Sequence, residues 1–470
     1  MIDHGILTKA LKTALGKDAD FADVFVERAT YNWVISEDKR LRTAYSVERG
    51  VGIRVVAEGR TYYATTNSYD EADILRVAAF VHDAAKSGPD GRDVVRLQES
   101  TSSWPFPFAV PPSKEEIEPK VEIVKRAEDR AWSAPHAIQA TISFRDNQRD
   151  VVLASSLHDS IIEHSLGLTE FSVTIVVEKN GRRESVGHGR TFYAGLEALS
   201  GEHAPELFSD EAAKAAALML IAKDCPRGEM PVVFAPGDNG ILFHESCGHG
   251  MEADLVEKGS TFTGLLGKEV ASPLVTLIDD GTIPGYGGSF EYDDEGTPSQ
   301  KTVLVENGIL RNYMHSAVTA KRFNASLTGS ARRESFAYPP IPRMRNTYIL
   351  AGQSDPKDII KGTKRGLYAV LPGGGGQVNV FTGEFITSVK LGYMIENGHI
   401  TFPVKGASII GRGIDALRDI DFVGSDLKIE KSPGRCGKGQ DVSVGVGMPT
   451  VRVKTLTVGG TGDALEKEAK

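Results

Sequence analysis

Apolar residues recur at helical spacing in four stretches of the first half of the chain. The first covers 5–15, with Ile6, Leu7, Ala10, Leu11, Ala14 and Leu15 on one side, and stops at Gly16. The second, 69–85, places Ile74, Leu75, Val77, Ala78 and Val81 on a buried face, and two more are expected over about 114–132 and 210–223. Between them lie alternating, β-branched or aromatic runs that predict strands at 23–27, 31–36, 50–56 and 60–65, and again at 138–144, 151–155, 160–166, 170–178 and 187–192. Glu58-Gly59 between two of these runs is a hairpin signal. The order helix, strands, helix thus occurs twice. It is consistent with a diverged internal duplication, although no residue pattern repeats.

From Ser87 to Pro112 the chain turns to Gly, Pro, Ser and charge, which reads as a linker or long excursion. Cys225-Pro226-Arg227-Gly228 makes a second break. Beyond it a strand is expected at 231–235, then a helix N-capped by Asp238 and running toward Val256. The remainder is Gly-rich and strand-rich. Hairpin signals recur at Asp279-Asp280-Gly281, Glu306-Asn307-Gly308 and Glu396-Asn397-Gly398, and apolar strands are expected at 274–278 and 451–457. The expected fold is α+β. Helix–strands–helix units at 1–90 and 113–226, with antiparallel sheets, flank a linker at 91–112, and a β-rich domain carrying one functional helix fills 227–470.

The chain is 470 residues long, with 40% hydrophobic and 25% charged residues, which suits two or three soluble domains. A net charge of -9 argues against a nucleic-acid surface. No apolar run approaches the roughly 20 residues needed to cross a bilayer. Met1-Ile2-Asp3-His4 lacks the basic start of a signal peptide, and three cysteines give no disulfide framework. A cytoplasmic protein is expected.

The candidate chemistry lies in His244-Glu245-Ser246-Cys247-Gly248-His249. Two imidazoles with a carboxylate after the first are the ligand-and-base grammar of a zinc hydrolase. The histidines stand at i and i+5, however, about 140° apart on a regular α-helix. A π-type widening would bring them back together, with Gly248 as the residue to permit it. A third ligand is needed, and Glu252, Asp254, Cys436, His315 and His399 are all open to that role. Cys225 and Cys247 read as structural. Gly373-Gly374-Gly375-Gly376 lacks the Lys-Ser or Lys-Thr of a phosphate loop, and Asp293-Asp294-Glu295 reads as a solvated acidic turn.

Together with Arg435-Cys436-Gly437-Lys438-Gly439-Gln440, the histidine motif resembles the TldD/PmbA metallopeptidase family in its zinc-binding TldD-type branch. Further stretches fit the same family: Asn307-Gly308-Ile309-Leu310-Arg311-Asn312-Tyr313-Met314-His315-Ser316, Arg332-Arg333-Glu334-Ser335, Pro342-Arg343-Met344-Arg345-Asn346-Thr347, Gly375-Gly376-Gln377-Val378 and Thr382-Gly383-Glu384-Phe385. The resemblance implies Zn2+ held by His244, His249 and Cys436, with Glu245 as general base. Two imidazoles and a thiolate leave a fourth position for water, whose proton Glu245 would take. His315, Tyr338, Arg333 and Arg343 are the oxyanion candidates in the resembling segments. The family also implies unfolded or extended peptide substrates and a dimer enclosing a chamber. That dimer is either a homodimer or a heterodimer with a metal-free PmbA-type subunit. Rival readings are a peptide-binding scaffold whose structural zinc is closed off by Glu252 or Asp254, and a zinc amidase on a small substrate. A Cys247–His249 nucleophile ranks last, because no third residue orients the base.

Overall fold

The computed structural model describes residues 2–17, 19–85, 97–104, 108–373, 376–431 and 434–464. Residues 91–96 and 105–107 of the expected linker, Gly374-Gly375 and Ser432-Pro433 lie outside the described residues.

The first unit runs helix His4–Ala14, strands Ala19–Glu37, Arg40–Ala57 and Arg60–Thr66, and helix Glu71–Ala85. The second repeats that order with Ile117–Trp132, then Ala137–Ser155, Ser160–Lys179 and Arg182–Phe192, then Pro205–Ile221. The first long strands of the two units, Ala19–Glu37 and Ala137–Ser155, pair antiparallel along Asp23↔Ser155 to Glu37↔Thr141. All the strands therefore join one seven-stranded sheet, with the second unit laid out as the reverse of the first. The repeat is one of topology.

One face of this sheet is covered by the helices. Leu7, Leu11, Ile74 and Val81 pack on Val24, Val26, Ile53 and Val55, while Val124, Ala127, Phe208 and Ala212 pack on Val34, Phe144, Phe171 and Val173. The other face meets the C-terminal domain. The buried Arg54 guanidinium donates to Asp23 Oδ2 at 2.6 Å and to Glu295 Oε1 at 2.8 Å, and Arg333 Nη2 donates to Asp23 Oδ1 at 3.1 Å.

Several strands are longer than the alternation predicts. The expected breaks at 28–30 and 145–150 are continuous strand; in the second, Asp146 pairs with Lys120 and Arg149 with Glu27 across the fold. Part of the expected linker is also structured: Gln98–Thr101 adds parallel to Ser160–Glu163, and Ser102 and Ser103 donate to the Glu291 carboxylate.

The C-terminal domain holds a nine-stranded and a second seven-stranded sheet among the described residues. Two-residue hairpins form at Asn307-Gly308 and Asn397-Gly398, where both positions take positive φ. Asp279-Asp280-Gly281 forms no such hairpin. Strand Leu277–Asp280 instead pairs with Lys301–Glu306 after a long excursion, and Asp279 Oδ1 accepts the Arg345 amide at 2.7 Å. The two sheets bring together the segment after strand Gly228–Phe234 and the hairpin Gly434–Gly437/Asp441–Met448.

Candidate metal centre

Residues 238–257 form a chain of short, unlike turns: 3-10 at Asp238–Gly240, α at Ile241–Phe243, π at His244–Gly248, 3-10 at His249–Met251 and α at Ala253–Glu257. The expected continuous helix is interrupted at Glu252, whose ψ of 123° is extended. Asp238 makes no side-chain cap. The neighbouring Asn239 anchors the start by donating to Ala235 O at 3.0 Å and Ala369 O at 3.2 Å.

The π turn resolves the spacing of the histidines. The His249 amide donates to the His244 carbonyl, five residues back, so the two rings fall on one side with centroids 5.4 Å apart. Gly248 has ordinary helical angles, φ -56° and ψ -50°. Its need for glycine is spatial, since a Cβ there would lie 2.1 Å from Met344 Sδ.

Cys436 arrives from the hairpin, opposite Val442. Its Sγ lies 3.2 Å from His244 Nε2 and 3.1 Å from His249 Nε2, with all three side chains buried. One donor atom each from His244, Glu245, His249 and Cys436 falls within 4.8 Å of the others. Glu245 is the open member, its side chain 34% exposed, with carboxylate oxygens 3.7 Å from His249 Nε2 and 4.0 Å from His244 Nε2. Burial opposes ionisation of the Cys436 thiol, yet the adjoining imidazoles, His244 first, outweigh it and hold the thiol at about 5. Two nitrogens and a thiolate sulfur converging in a buried site are donors suited to a borderline-soft divalent cation. His244 Nδ1 is buried without a hydrogen-bond partner among the described residues.

Glu252 is the residue whose role the sequence did not reveal. It is fully buried, and its Oε2 accepts His249 Nδ1–H at 2.9 Å and pairs with Lys438 Nζ at 2.9 Å, while its Oε1 accepts the Met344 amide at 3.2 Å. Burial would raise its pKa, but Lys438, then His249 and Arg343, bring it down to about 2. With Nδ1 as donor, His249 directs the Nε2 lone pair at Cys436 and Glu245. Lys438 also donates to Asp254 at 2.8 Å. The one available signal was a lysine two residues after the cysteine.

The four oxyanion candidates scatter. Arg343 is closest to the cluster: it donates to Gln440 O at 2.6 Å and to Cys436 O, gripping the hairpin backbone. Arg333 serves the interface with Asp23, over the Phe25 ring. His315 is buried beside Thr319 and Phe323, its pKa pushed down to about 4 by that burial. Tyr338 is half-buried in the segment after Arg333, with its amide donating to Ser335 O. Asp293 is no solvated turn: burial and the nearby Glu295 push it up to about 7, and its oxygens accept the Glu295, Thr297 and Ala331 amides.

Three family models match this chain: PmbA/TldA metallopeptidase domain 1 over residues 22–85, the central domain over 110–220 and the C-terminal domain over 227–460. A Haemophilus influenzae protein named metalloprotease TldD homolog is 38% identical over 461 residues, covering 95% of this chain and 94% of its own. A Buchnera aphidicola protein of the same name is 34% identical over 461 residues, covering 96% and 95%. Among solved structures, TldE from Thermococcus kodakarensis matches with a TM-score of 0.70 at 18% identity, covering 97% of this chain and 99% of its own. A Bacteroides thetaiotaomicron protein reaches 0.75 at 18% identity, covering 97% and 98%. At such identities the two structures speak for the fold alone.

Proposed function

The chain belongs to the PmbA/TldD metallopeptidase family, and from that premise we propose a zinc-dependent peptidase that hydrolyses unfolded or flexible polypeptides, with His244, His249 and Cys436 as ligands and Glu245 as general base. The observation that carries this reading is the convergence of two Nε2 atoms and a thiolate, with the Glu245 carboxylate on the open side. Held by His244, His249 and Cys436, zinc would supply Lewis acidity toward the scissile carbonyl and the attacking water. Glu245 accepts that water's proton and passes it to the leaving amine. Arg343 and Lys438 hold the Cys436 hairpin and Glu252 in place.

The scaffold reading would need Glu252 or Asp254 in the fourth position. Both Glu252 oxygens and the Asp254 carboxylate are engaged elsewhere, which favours an open site. Beside the π turn, Gly413 lies against Ser246 and its amide donates to Gly383 O at 2.8 Å. The turn before strand Glu384–Glu396 exposes Phe381, and that strand with Ala407–Arg412 exposes the cross-strand pair Ile386 and Ile410, an apolar ledge suited to an extended chain. The family likeness extends this reading to a second subunit, either a copy of this chain or a metal-free relative. No helix of the described residues is long and apolar enough to cross a membrane, which fits a cytoplasmic peptidase.

Cleavage of an unstructured peptide mixture, followed by mass spectrometry, should vanish on chelation and return with zinc. Cleavage that persists in the fully metal-free protein would sink the reading. Glu252→Gln should weaken zinc binding about 10–100-fold in a chelator competition, because the carboxylate that fixes the His249 tautomer is lost. The same variant checks a pH effect. A carboxylate held at about 2 against an ordinary 4.5 contributes stability that is complete above 4.5 and lost as pH falls through about 2, on the order of 3 kcal/mol. Urea denaturation between these pH values should show that acid slope in wild type and a flatter one in Glu252→Gln.

A further inference from the structure

A cleft lies between the helix-free face of the first sheet and the C-terminal domain. It has two adjoining lobes of about 160 and 290 Å³, and His164, Leu166, Tyr193, Phe290 and Tyr292 wall both. On the sheet side, Arg149 stands level with Ala29 and Leu166 in the strand register. None of His244, Glu245, His249 and Cys436 lines either lobe. The hairpin stands between the cleft and the metal centre. Cys436 meets the two histidines, while its neighbour Arg435, on the other face, pairs with Glu170 of the first sheet at 3.5 Å and lines the smaller lobe.

The smaller lobe holds polar groups that the fold leaves unused. Arg332 is 4% exposed, lies 4.8 Å from the Phe290 ring and donates from Nη1 to Met344 O at 2.9 Å. No carboxylate among the described residues pairs with it. Burial and the charges of Arg345 and Arg343 bring its pKa down to about 9 despite Asp294, so it stays a cation at neutral pH. Arg149 pairs with Glu27 through Nε, but its Nη2 is buried with no hydrogen-bond partner among the described residues. Burial takes His164 down to about 4, which leaves a neutral ring free to donate or accept. The acids nearby are engaged: Asp293 accepts the Glu295, Thr297 and Ala331 amides, Asp294 that of Arg333 and Glu334 that of Asp441. The larger lobe is apolar, with Trp104, Leu166, Pro284 and Phe290 in its walls, and its one acid, Glu291, is taken by Ser102 and Ser103.

We propose that this cleft binds a small monocarboxylate bearing an aromatic or branched apolar group, with the carboxylate on Arg332 and the apolar group among Trp104, Leu166 and Phe290. The inference is independent of the peptidase chemistry.

Charge and shape select that class. A buried guanidinium without a paired carboxylate is costly, and a ligand carboxylate matches its fork of donors. A doubly charged phosphate would be repelled by Asp294 and Glu334, which line the same lobe. Phe290 joins the two lobes, so an anion at Arg332 has the apolar lobe directly alongside. Ligand sites of this kind are mostly apolar, with a few convergent polar groups that fix orientation. A free apolar amino acid and the C-terminal residue of a peptide both carry this chemistry.

Titration calorimetry of the zinc-loaded full chain tests the site with phenylalanine, N-acetylphenylalanine and N-acetylphenylalanine amide. At least one of the two acids should bind with a Kd of about 1 mM or tighter, and the amide about tenfold or more weaker. Binding of the N-acetyl acid would assign the site to a peptide C-terminus, and binding of phenylalanine alone to the free amino acid. Arg332→Gln should weaken the acid about tenfold or more. Leu166→Trp, which fills the shared wall without touching an ion pair, should do the same and carries the test should Arg332→Gln fail to fold. Unchanged thermal melting would show that each variant keeps its structure. Removal of zinc by chelation should leave binding intact, because the metal centre lies across the hairpin. The proposal is overturned if neither acid saturates, if the amide binds equally, or if inorganic phosphate displaces the acid. Binding that is lost with zinc, or that is indifferent to Leu166→Trp, would overturn it too. Peptide cleavage assayed in parallel separates the two readings, since an inactive protein that binds contradicts only the peptidase and an active one that does not bind only the cleft.

Discussion

Glu245→Gln is expected to slow peptide hydrolysis by about 10² or more while the protein keeps its zinc. General-base catalysis contributes typically 10²–10⁴-fold, and the amide retains the shape of the carboxylate without its basicity. Glu245 is also the part-exposed member of the cluster, 3.7 Å and 4.0 Å from the two Nε2 atoms, whereas His244, His249 and Cys436 are buried and within 3.2 Å of one another through the sulfur. An interaction made only in the transition state lowers kcat and leaves KM largely unchanged. The measurement is steady-state cleavage of one unstructured peptide alongside metal analysis of the same preparations. Equal activity in both proteins would trace the cleavage to a contaminant. Loss of zinc from the variant would make Glu245 a ligand instead of a base.

Cys436→Ser should remove the metal itself. A thiol held at about 5 by two imidazoles is an anionic donor at neutral pH, and serine offers a neutral hydroxyl in its place. Zinc affinity should fall by more than the about 10–100-fold seen when a supporting residue is changed. Activity should drop to background at limiting zinc and recover in part when zinc is raised. The hairpin should stay in place, because Arg343 grips the Cys436 and Gln440 carbonyls, not the thiol. Unaltered thermal melting of the metal-free variant would therefore separate loss of the ligand from loss of the fold. Cys247→Ser is the contrast. Burial pushes that thiol up to about 12, and its replacement should leave zinc and cleavage intact. Loss of cleavage with zinc still bound would revive the cysteine nucleophile.

What the sequence alone determined was local. The helices at the N-terminus and at 71–85 follow from apolar spacing, and the Asn-Gly hairpins follow from residues that tolerate positive φ. The i, i+5 histidines demanded a wider turn, and a π turn stands at that place, because the constraint is carried by six consecutive residues. The quoted motifs also carried the family resemblance.

Tertiary structure decided whatever depends on partners far along the chain. The polar residues at 145–150 that read as a break are continuous strand, since Arg149 meets Glu27 and Asp146 meets Lys120 at separations that spacing cannot reveal. Arg333 shares its segment with other motif residues, but Asp23, 310 residues away, claims its guanidinium for the interface. Glu252 offered itself as a metal ligand until Lys438 and His249 Nδ1 occupied its oxygens. The joining of two separate units into one sheet, and the meeting of Cys436 with histidines 187 and 192 residues before it, were likewise settled by the fold. The reason is common to all of these. Buried charges and donor atoms must be satisfied, and only the folded chain determines which distant group satisfies them.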